Sequence, residues 1–262
     1  RIYYATSPDG LTWTKYDNTA PARSDTSSTN GRIPLGNSGR GDYSGVSAPA
    51  VIKDGNTYKM WYTGQDSGGS RRIYYATSSD GLTWNKYNNI TPSNSDTSST
   101  DGRVSLGTSG KGDSTRVYSA TVVREGTLFK MWYSGYDGSK ARFYYATSSD
   151  GLTWTKYDNY LPSYTSNYYS TGGKLVLGND TSGDDGNVLK PSIVRNGLEY
   201  KMWYSGYDGS TWRVFLAKSM PKSGPNGYLG LDYPVFQSST IKGIDSNAED
   251  TTGIYLSNPV TF

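Results

Sequence analysis

Apolar positions along the chain alternate with polar ones over short stretches and never fall at helical spacing. From Tyr58 to Thr63, Tyr58, Met60 and Tyr62 share one face of an extended segment and Lys59, Trp61 and Thr63 the other. A small, β-branched run, Ala50-Val51-Ile52, precedes it. The turn between them, Lys53-Asp54-Gly55-Asn56, carries an Asp-Gly pair that tolerates the positive φ of a tight hairpin. A third strand is expected over Ile73 to Thr77, closed by Ser79-Asp80-Gly81, and a fourth at Arg103-Val104-Ser105-Leu106. Gly or Asn-Gly interrupts every segment within about ten residues, which excludes a helical solenoid. A parallel β-helix would need shorter coils.

These elements recur. RIYYATSPDGLTWTKYDN from Arg1 returns as RIYYATSSDGLTWNKYNN from Arg72 and RFYYATSSDGLTWTKYDN from Arg142, with a degraded copy, RVFLAKS, from Arg213; the spacings are 71, 70 and 71 residues. Between them stand APAVIKDGNTYKMWYTG from Ala48, SATVVREGTLFKMWYSG from Ser119 and KPSIVRNGLEYKMWYSG from Lys190. Four antiparallel strands per repeat predict an all-β fold, a β-propeller with one blade per repeat and four or five blades. The expected division is 1–223 for the repeats, with the outer strand pair of a first blade in 1–43 and further blades in 44–114, 115–185 and 186–223. The remainder, 224–262, is expected to close the propeller or to link to a neighbour, with Thr240 to Ile244 and Gly253 to Phe262 as candidate strands.

Composition narrows the chemistry. Hydrophobic residues are only 34% of the 262, but 25 Tyr, 7 Trp and 32 Gly put the apolar surface in aromatic side chains suited to pleated sheets. With no Cys there is no disulfide framework and no thiolate metal site. With no His there is no Ser-His-Asp or Cys-His arrangement. A net charge of +3, spread along the chain, lacks the clustered basic footprint of a nucleic-acid binder, and no apolar run is long enough to insert in a membrane. The chain opens directly on the strand-like Arg1–Thr6, as an excised piece of a longer protein would; its Tyr, Thr, Ser, Asn and Gly richness suits an exported protein, extracellular or at the cell surface.

At P-[AS]-[VI]-[IV], YKMWY[TS]G and YYATSSDGLTW, over roughly Val46 to Trp212, the chain resembles the five-bladed propeller glycosidases: arabinanases, levansucrases, invertases and mannoside phosphorylases. The Ser-x-Asp-Gly-x-x-Trp strings at Ser7, Ser78 and Ser148 resemble the Asp-box turn of sialidase-type propellers, where the Asp caps its own turn and the Trp packs between blades. The resemblance implies acidic residues at the start of innermost strands, since glycoside cleavage needs two carboxyls. The matching positions here are Ala48, Ser119 and Lys190, so the acidic set is missing.

Other carboxylates recur nearby: Asp42, Asp113 and Asp184 before the inner strands, and Asp66, Asp137 and Asp208 between the second and third strands. Equivalent residues in equivalent blades suit turn capping or a ring of shallow sites better than an asymmetric acid and base. Tyr136 and Tyr207 beside Asp137 and Asp208 offer a ring and a carboxylate to a sugar, or pack on the next blade. Arg40-Gly41-Asp42 matches an integrin motif, but Lys111-Gly112-Asp113 and Ser182-Gly183-Asp184 reduce the shared element to a Gly-Asp turn. The loop Asn179 to Asn187 is oxygen-rich in the manner of a Ca2+ site yet lacks the full ligand spacing, so no cofactor is expected. Asn89-Ile90-Thr91 and Asn179-Asp180-Thr181 fit the glycosylation sequon.

The function expected is a non-catalytic extracellular or cell-surface module for glycan binding, adhesion or assembly of a surface structure. Its partners would be a glycan or polysaccharide, or copies of itself added by strand pairing at Arg1 to Thr6 and Gly253 to Phe262. The alternative is a glycoside hydrolase or phosphorylase with relocated carboxylates.

Overall fold

The computed structural model describes residues 1–16, 22, 24, 27–28, 30–91, 98–157, 175, 177, 183–196, 199–219 and 236–238. Among these the chain is all strand and turn, without a helix. A two-stranded sheet, β1 (Ala5–Thr6) and β2 (Thr14–Lys15), comes first. Three four-stranded antiparallel sheets follow, each in simple meander order. They comprise β3 (Gly45–Asp54), β4 (Thr57–Gln65), β5 (Arg71–Ser78) and β6 (Asn85–Lys86); β7 (Arg116–Glu125), β8 (Leu128–Tyr136), β9 (Ala141–Ser148) and β10 (Thr155–Tyr157); and β11 (Asn187–Asn196), β12 (Glu199–Tyr207), β13 (Trp212–Ser219) and β14 (Phe236–Ser238).

The fourth strand is not where the sequence placed it. β6 pairs with the far half of β5, through Ala76 to Lys86 and Thr77 to Asn85, while Arg103–Leu106 contributes one bridge, Val104 to Ile73. Two short pieces thus share one edge of β5. The physical reason is the Asp-box turn, which returns the chain at once alongside the end of β5. Ser78 Oγ accepts from the Gly81 amide at 2.8 Å, and Asp80 Oδ1 accepts from the amides of Leu82 and Thr83 at 2.8 and 2.7 Å. Those two amides, Thr83 first, hold the Asp80 carboxyl down at about 2. In the third sheet the fourth strand comes from the C-terminal segment, because Phe236–Ser238 pairs with Ala217–Ser219. Thr240 to Ile244 and Gly253 to Phe262 lie outside the described residues.

In the first two four-stranded sheets both faces of the second and third strands are buried, because each of these sheets is sandwiched between neighbours. Met60, Tyr62, Tyr74 and Ala76 pack with Ile2 and Ile33 of the N-terminal unit. Trp61, Ile73 and Tyr75 face the other way, against Phe129, Met131, Tyr133 and Trp154 of the next sheet. The junction after that repeats the pattern with Trp132, Phe143 and Tyr145 against Tyr200, Met202 and Tyr204. The strand pattern therefore reports alternating neighbours rather than core against solvent.

Trp61 shows how a junction is locked. It is fully buried, lies 5.8 Å from Trp154 in a T-shaped contact, and donates Nε1–H to Gly151 O at 3.1 Å. Where no such tryptophan arrives, the turn closes on itself: Trp84 donates to Gly81 O and Trp13 to Gly10 O. Trp61→Ala is expected to destabilise the chain by about 3–5 kcal/mol. Trp13→Ala, at a side chain 62% exposed, should stay within about 0.5 kcal/mol in the same urea titration. Equal losses would contradict this packing.

Candidate functional site

The first strand of every four-stranded sheet carries the same irregularity near its start. The register of β3 with β4 slips between Ser47 and Ala50, of β7 with β8 between Tyr118 and Thr121, and of β11 with β12 between Leu189 and Ser192. Two residues then oppose one, a β-bulge, and the first of them is left-handed: Ala48 at φ 47°, Ser119 at 50° and Lys190 at 58°. None is glycine, so each position is strained. Across two junctions the strained amide is held by the preceding sheet, Ser119 N–H on Thr63 Oγ1 at 2.8 Å and Lys190 N–H on Ser134 Oγ at 3.1 Å. These are the positions at which the resemblance to propeller glycosidases implied acids.

Opposite each bulge a tyrosine reaches back to the recurrent Gly-Asp turn. Tyr62, Tyr133 and Tyr204 donate their hydroxyls to Asp42, Asp113 and Asp184 at 2.9, 2.8 and 2.7 Å. Lys86 and Lys156 add their ammonium groups to Asp42 and Asp113 at 2.7 Å each, and Asn89 Nδ2–H binds Asp42 at 2.9 Å. Asp42 and Asp113 are fully buried and Asp184 is 6% exposed. The struts run so close to the second strand that a Cβ on Gly64 or Gly135 would stand 2.8 or 2.5 Å from the Asp42 or Asp113 Cβ. These three carboxylates stand in the turns before the first strands of separate sheets and are under cover. The Arg-Gly-Asp string ends on the same buried Asp42.

Asp66, Asp137 and Asp208 close the connections between second and third strands, at the end of the sheets where the first strands begin. Asp66 accepts from the Ser70 amide at 2.9 Å, and Asp137 from the amides of Ser139 and Lys140 at 2.7 Å each and from Arg142 at 2.7 Å. Asp208 accepts from the Ser210 and Thr211 amides and pairs closely with Arg213, whose guanidinium, ahead of those amides, drives its carboxyl far below the usual range. Tyr136 and Tyr207 donate to the turn carbonyls of Gly138 and Gly209, and Tyr207 stacks on Trp212 at 4.8 Å. The oxygen-rich loop lies partly outside the described residues, and no group of acids able to hold a metal stands among those described.

At the same end, where the first two four-stranded sheets meet the third, is a cluster of cations on tyrosine rings. Arg71 lies over Tyr118, 5.7 Å from its centroid, and Arg116 over Tyr136 at 5.5 Å. Lys190 is close enough to Arg71 to feel its charge; burial first, then that repulsion, lowers the Lys190 ammonium from its ordinary value. Burial pushes the Tyr118 phenol up to about 12, with Arg71 and Arg116 opposing. No carboxylate pairs with Arg71 or Arg116 among the described residues. The sequence reading passed over Arg71, Arg116 and Tyr118. Their signal was departure from the repeat: Arg71 stands where other sheets have Ala141 and Trp212, Arg116 where they have Gly45 and Asn187, and Tyr118 where they have Ser47 and Leu189.

No family model matches the chain. Two uncharacterized proteins of Mycobacterium tuberculosis, MT1551 and Rv1502, are each 37% identical to it over 115 residues, 42% of this chain and 33% of their own length. The match thus spans about a third of these relatives. Among solved structures, Zg3597, a family 117 glycoside hydrolase of the marine bacterium Zobellia galactanivorans, is similar over 80% of this chain and 60% of its own, at a TM-score of 0.53 and 14% identity. A β-1,2-mannobiose phosphorylase from Listeria innocua is similar over 82% of this chain and 48% of its own, at 0.51 and 12%. At such identities the likeness is one of fold, and the fold of this chain is that of the glycosidase-like β-propellers.

Proposed function

We propose that the chain is a glycan-binding β-propeller module of an exported or cell-surface protein, acting without catalysis within a ring of four or five blades. The observation that carries this reading is the cluster of Arg71 and Arg116 with Lys190, the last at one of the strained inner-strand positions where the resemblance to propeller glycosidases implied acids. A catalytic carboxyl pair is replaced there by N–H donors, and the carboxylates nearby are engaged in struts and turns. Tyr118 and Tyr136 lie under the guanidiniums, and although Arg71 Nε–H is donated to Gln65 Oε1 at 3.3 Å, the remaining N–H groups are offered to an anionic group. The ligand class favoured is an acidic glycan, whose carboxylates accept from guanidinium while its hydroxyls meet the lysine and tyrosine.

The test is calorimetric titration with oligogalacturonate and with neutral arabinan, levan, inulin and β-mannan, together with a reducing-sugar assay on each. Binding of the acidic oligosaccharide without release of reducing ends is expected, weakening as salt is raised. Arg116→Ala should weaken it by about tenfold or more, the loss of one charge-assisted hydrogen bond. Reducing-end release abolished by an Asp→Asn change, or affinity indifferent to Arg116 and Lys190, would overturn the proposal.

A further inference from the structure

The junction between the first and second four-stranded sheets departs from the one after it at three coupled positions. At the later junction those positions hold Ala141, Asn187 and Leu189, and the sheets are sewn together by a neutral bond, Ala141 N–H to Asn187 Oδ1 at 2.8 Å. At the earlier junction the same positions hold Arg71, Arg116 and Tyr118. A junction of this fold thus closes without charge, and joining the sheets does not account for two guanidiniums.

Each guanidinium has its own seat. Arg71 is anchored within its sheet by its register partner Gln65, whose Oε1 accepts Nε–H at 3.3 Å, and it reaches over the Tyr118 ring of the next sheet at 5.7 Å. Arg116 lies over Tyr136, its own register partner, at 5.5 Å. Both charges act on the Tyr118 phenol, opposing the effect of its burial, so the two are close neighbours. Tyr118 and Tyr136 are diagonal neighbours across β7 and β8, about 7–8 Å apart along the sheet. A carboxylate, whose two oxygens match one guanidinium fork, fills one seat and leaves the other. Asp66 and Asp137, next in sequence to Gln65 and Tyr136, are engaged with the Ser70 amide and with Arg142. We infer that the site reads a run of adjacent uronates, with the carboxylate of one sugar on Arg71 and that of another on Arg116. This rests on the glycan-binding reading and narrows it, because a lone acidic sugar in a neutral chain fills only one seat. Two weak contacts made by one ligand multiply, so affinity grows with the number of consecutive uronates. Gln65 is a positioning residue, since it occupies the Nε edge of Arg71 and leaves the Nη groups to the ligand.

The test compares galacturonate, followed by ligand-observed NMR, with its tetramer, followed by calorimetry. The unaltered protein is expected to bind the tetramer more tightly by about tenfold or more. Arg71→Ala and Arg116→Ala should each weaken the tetramer by about tenfold or more, and the monomer by about twofold at most, because a single uronate still has the other arginine. Gln65→Glu, close in size to the native residue, puts a carboxylate on Arg71 and should weaken the tetramer as Arg71→Ala does, with circular dichroism unchanged. Equal losses for monomer and tetramer would mean that both arginines grip one carboxylate, and would overturn the inference while the glycan reading stands. A tetramer bound no more tightly than the monomer, or indifferent to Gln65→Glu, would overturn it too. If the unaltered protein binds neither, the glycan reading falls and this inference falls with it.

Discussion

Above about pH 10 the fold is expected to collapse steeply, because seven buried tyrosines must keep their protons to stay inside it. Burial raises the phenols of Tyr62, Tyr74, Tyr75, Tyr118, Tyr133, Tyr144 and Tyr204 above their ordinary value of 10.0. The neighbouring carboxylates of Asp42, Asp113 and Asp184 raise Tyr62, Tyr133 and Tyr204 further. Below pH 10 folded and unfolded chains are equally protonated at these sites, and the stabilisation is complete. Above it the unfolded chain releases protons that the folded chain retains, so each tyrosine removes about 1.4 kcal/mol per pH unit. Seven together remove roughly 10 kcal/mol per unit, comparable with the whole stability of a domain.

Two lysines act the other way, over a lower window. Burial lowers Lys86 and Lys156 from 10.5, with the aspartates resisting, so the folded chain releases those protons first and gains stability as pH rises toward 10.5. Beyond that value both are neutral in either state, and the tyrosines act alone. Exposed tyrosines ionise without unfolding, but a further part of the phenolate absorbance should appear together with the loss of circular dichroism in one cooperative step. Complete ionisation of all 25 tyrosines with the sheet signal intact would refute this account.

Asp113→Asn is expected to destabilise by about 3–5 kcal/mol, because it strands a buried ammonium. Lys156 Nζ lies 2.7 Å from Asp113 Oδ2, with the lysine side chain 13% and the aspartate 0% exposed. Ser105 O also accepts from it and would remain, but a carbonyl does not neutralise the charge. The double change Asp113→Asn, Lys156→Met should recover most of the loss, since a buried pair replaced by uncharged groups of similar volume is near neutral. The more exposed pair of Arg195 with Glu125 is the control, and Arg195→Ala should cost under about 1 kcal/mol. If the double variant is no more stable than the single one, Asp113 acts through its hydrogen bond with Tyr133 rather than through charge.

The repeat made the second and third strands plain, because their apolar residues recur at every copy and each copy meets the same neighbours. Tyr58 to Thr63 was readable as a strand from alternation alone, and lies within β4. Arg103 to Leu106 was misread as a full strand because a single bridge, Val104 to Ile73, needs the same small apolar pattern as a ladder. The bulges at Ala48, Ser119 and Lys190 left no trace in residue type, since three unlike side chains share one left-handed backbone.

Asp42, Asp113 and Asp184 divide what the sequence determined from what only the tertiary structure decided. Their recurrence, one per repeat, was visible in the residues and suited turn capping or a ring of shallow binding sites. That they stand buried under Tyr62, Tyr133 and Tyr204 depends on chain segments 20 residues apart meeting, which periodicity does not encode. The cluster of Arg71, Arg116 and Lys190 is the opposite case, built from residues that break the repeat and come from three different sheets. Local pattern records what one strand needs from its immediate surroundings. A site assembled across strands from different sheets exists only once those sheets have packed.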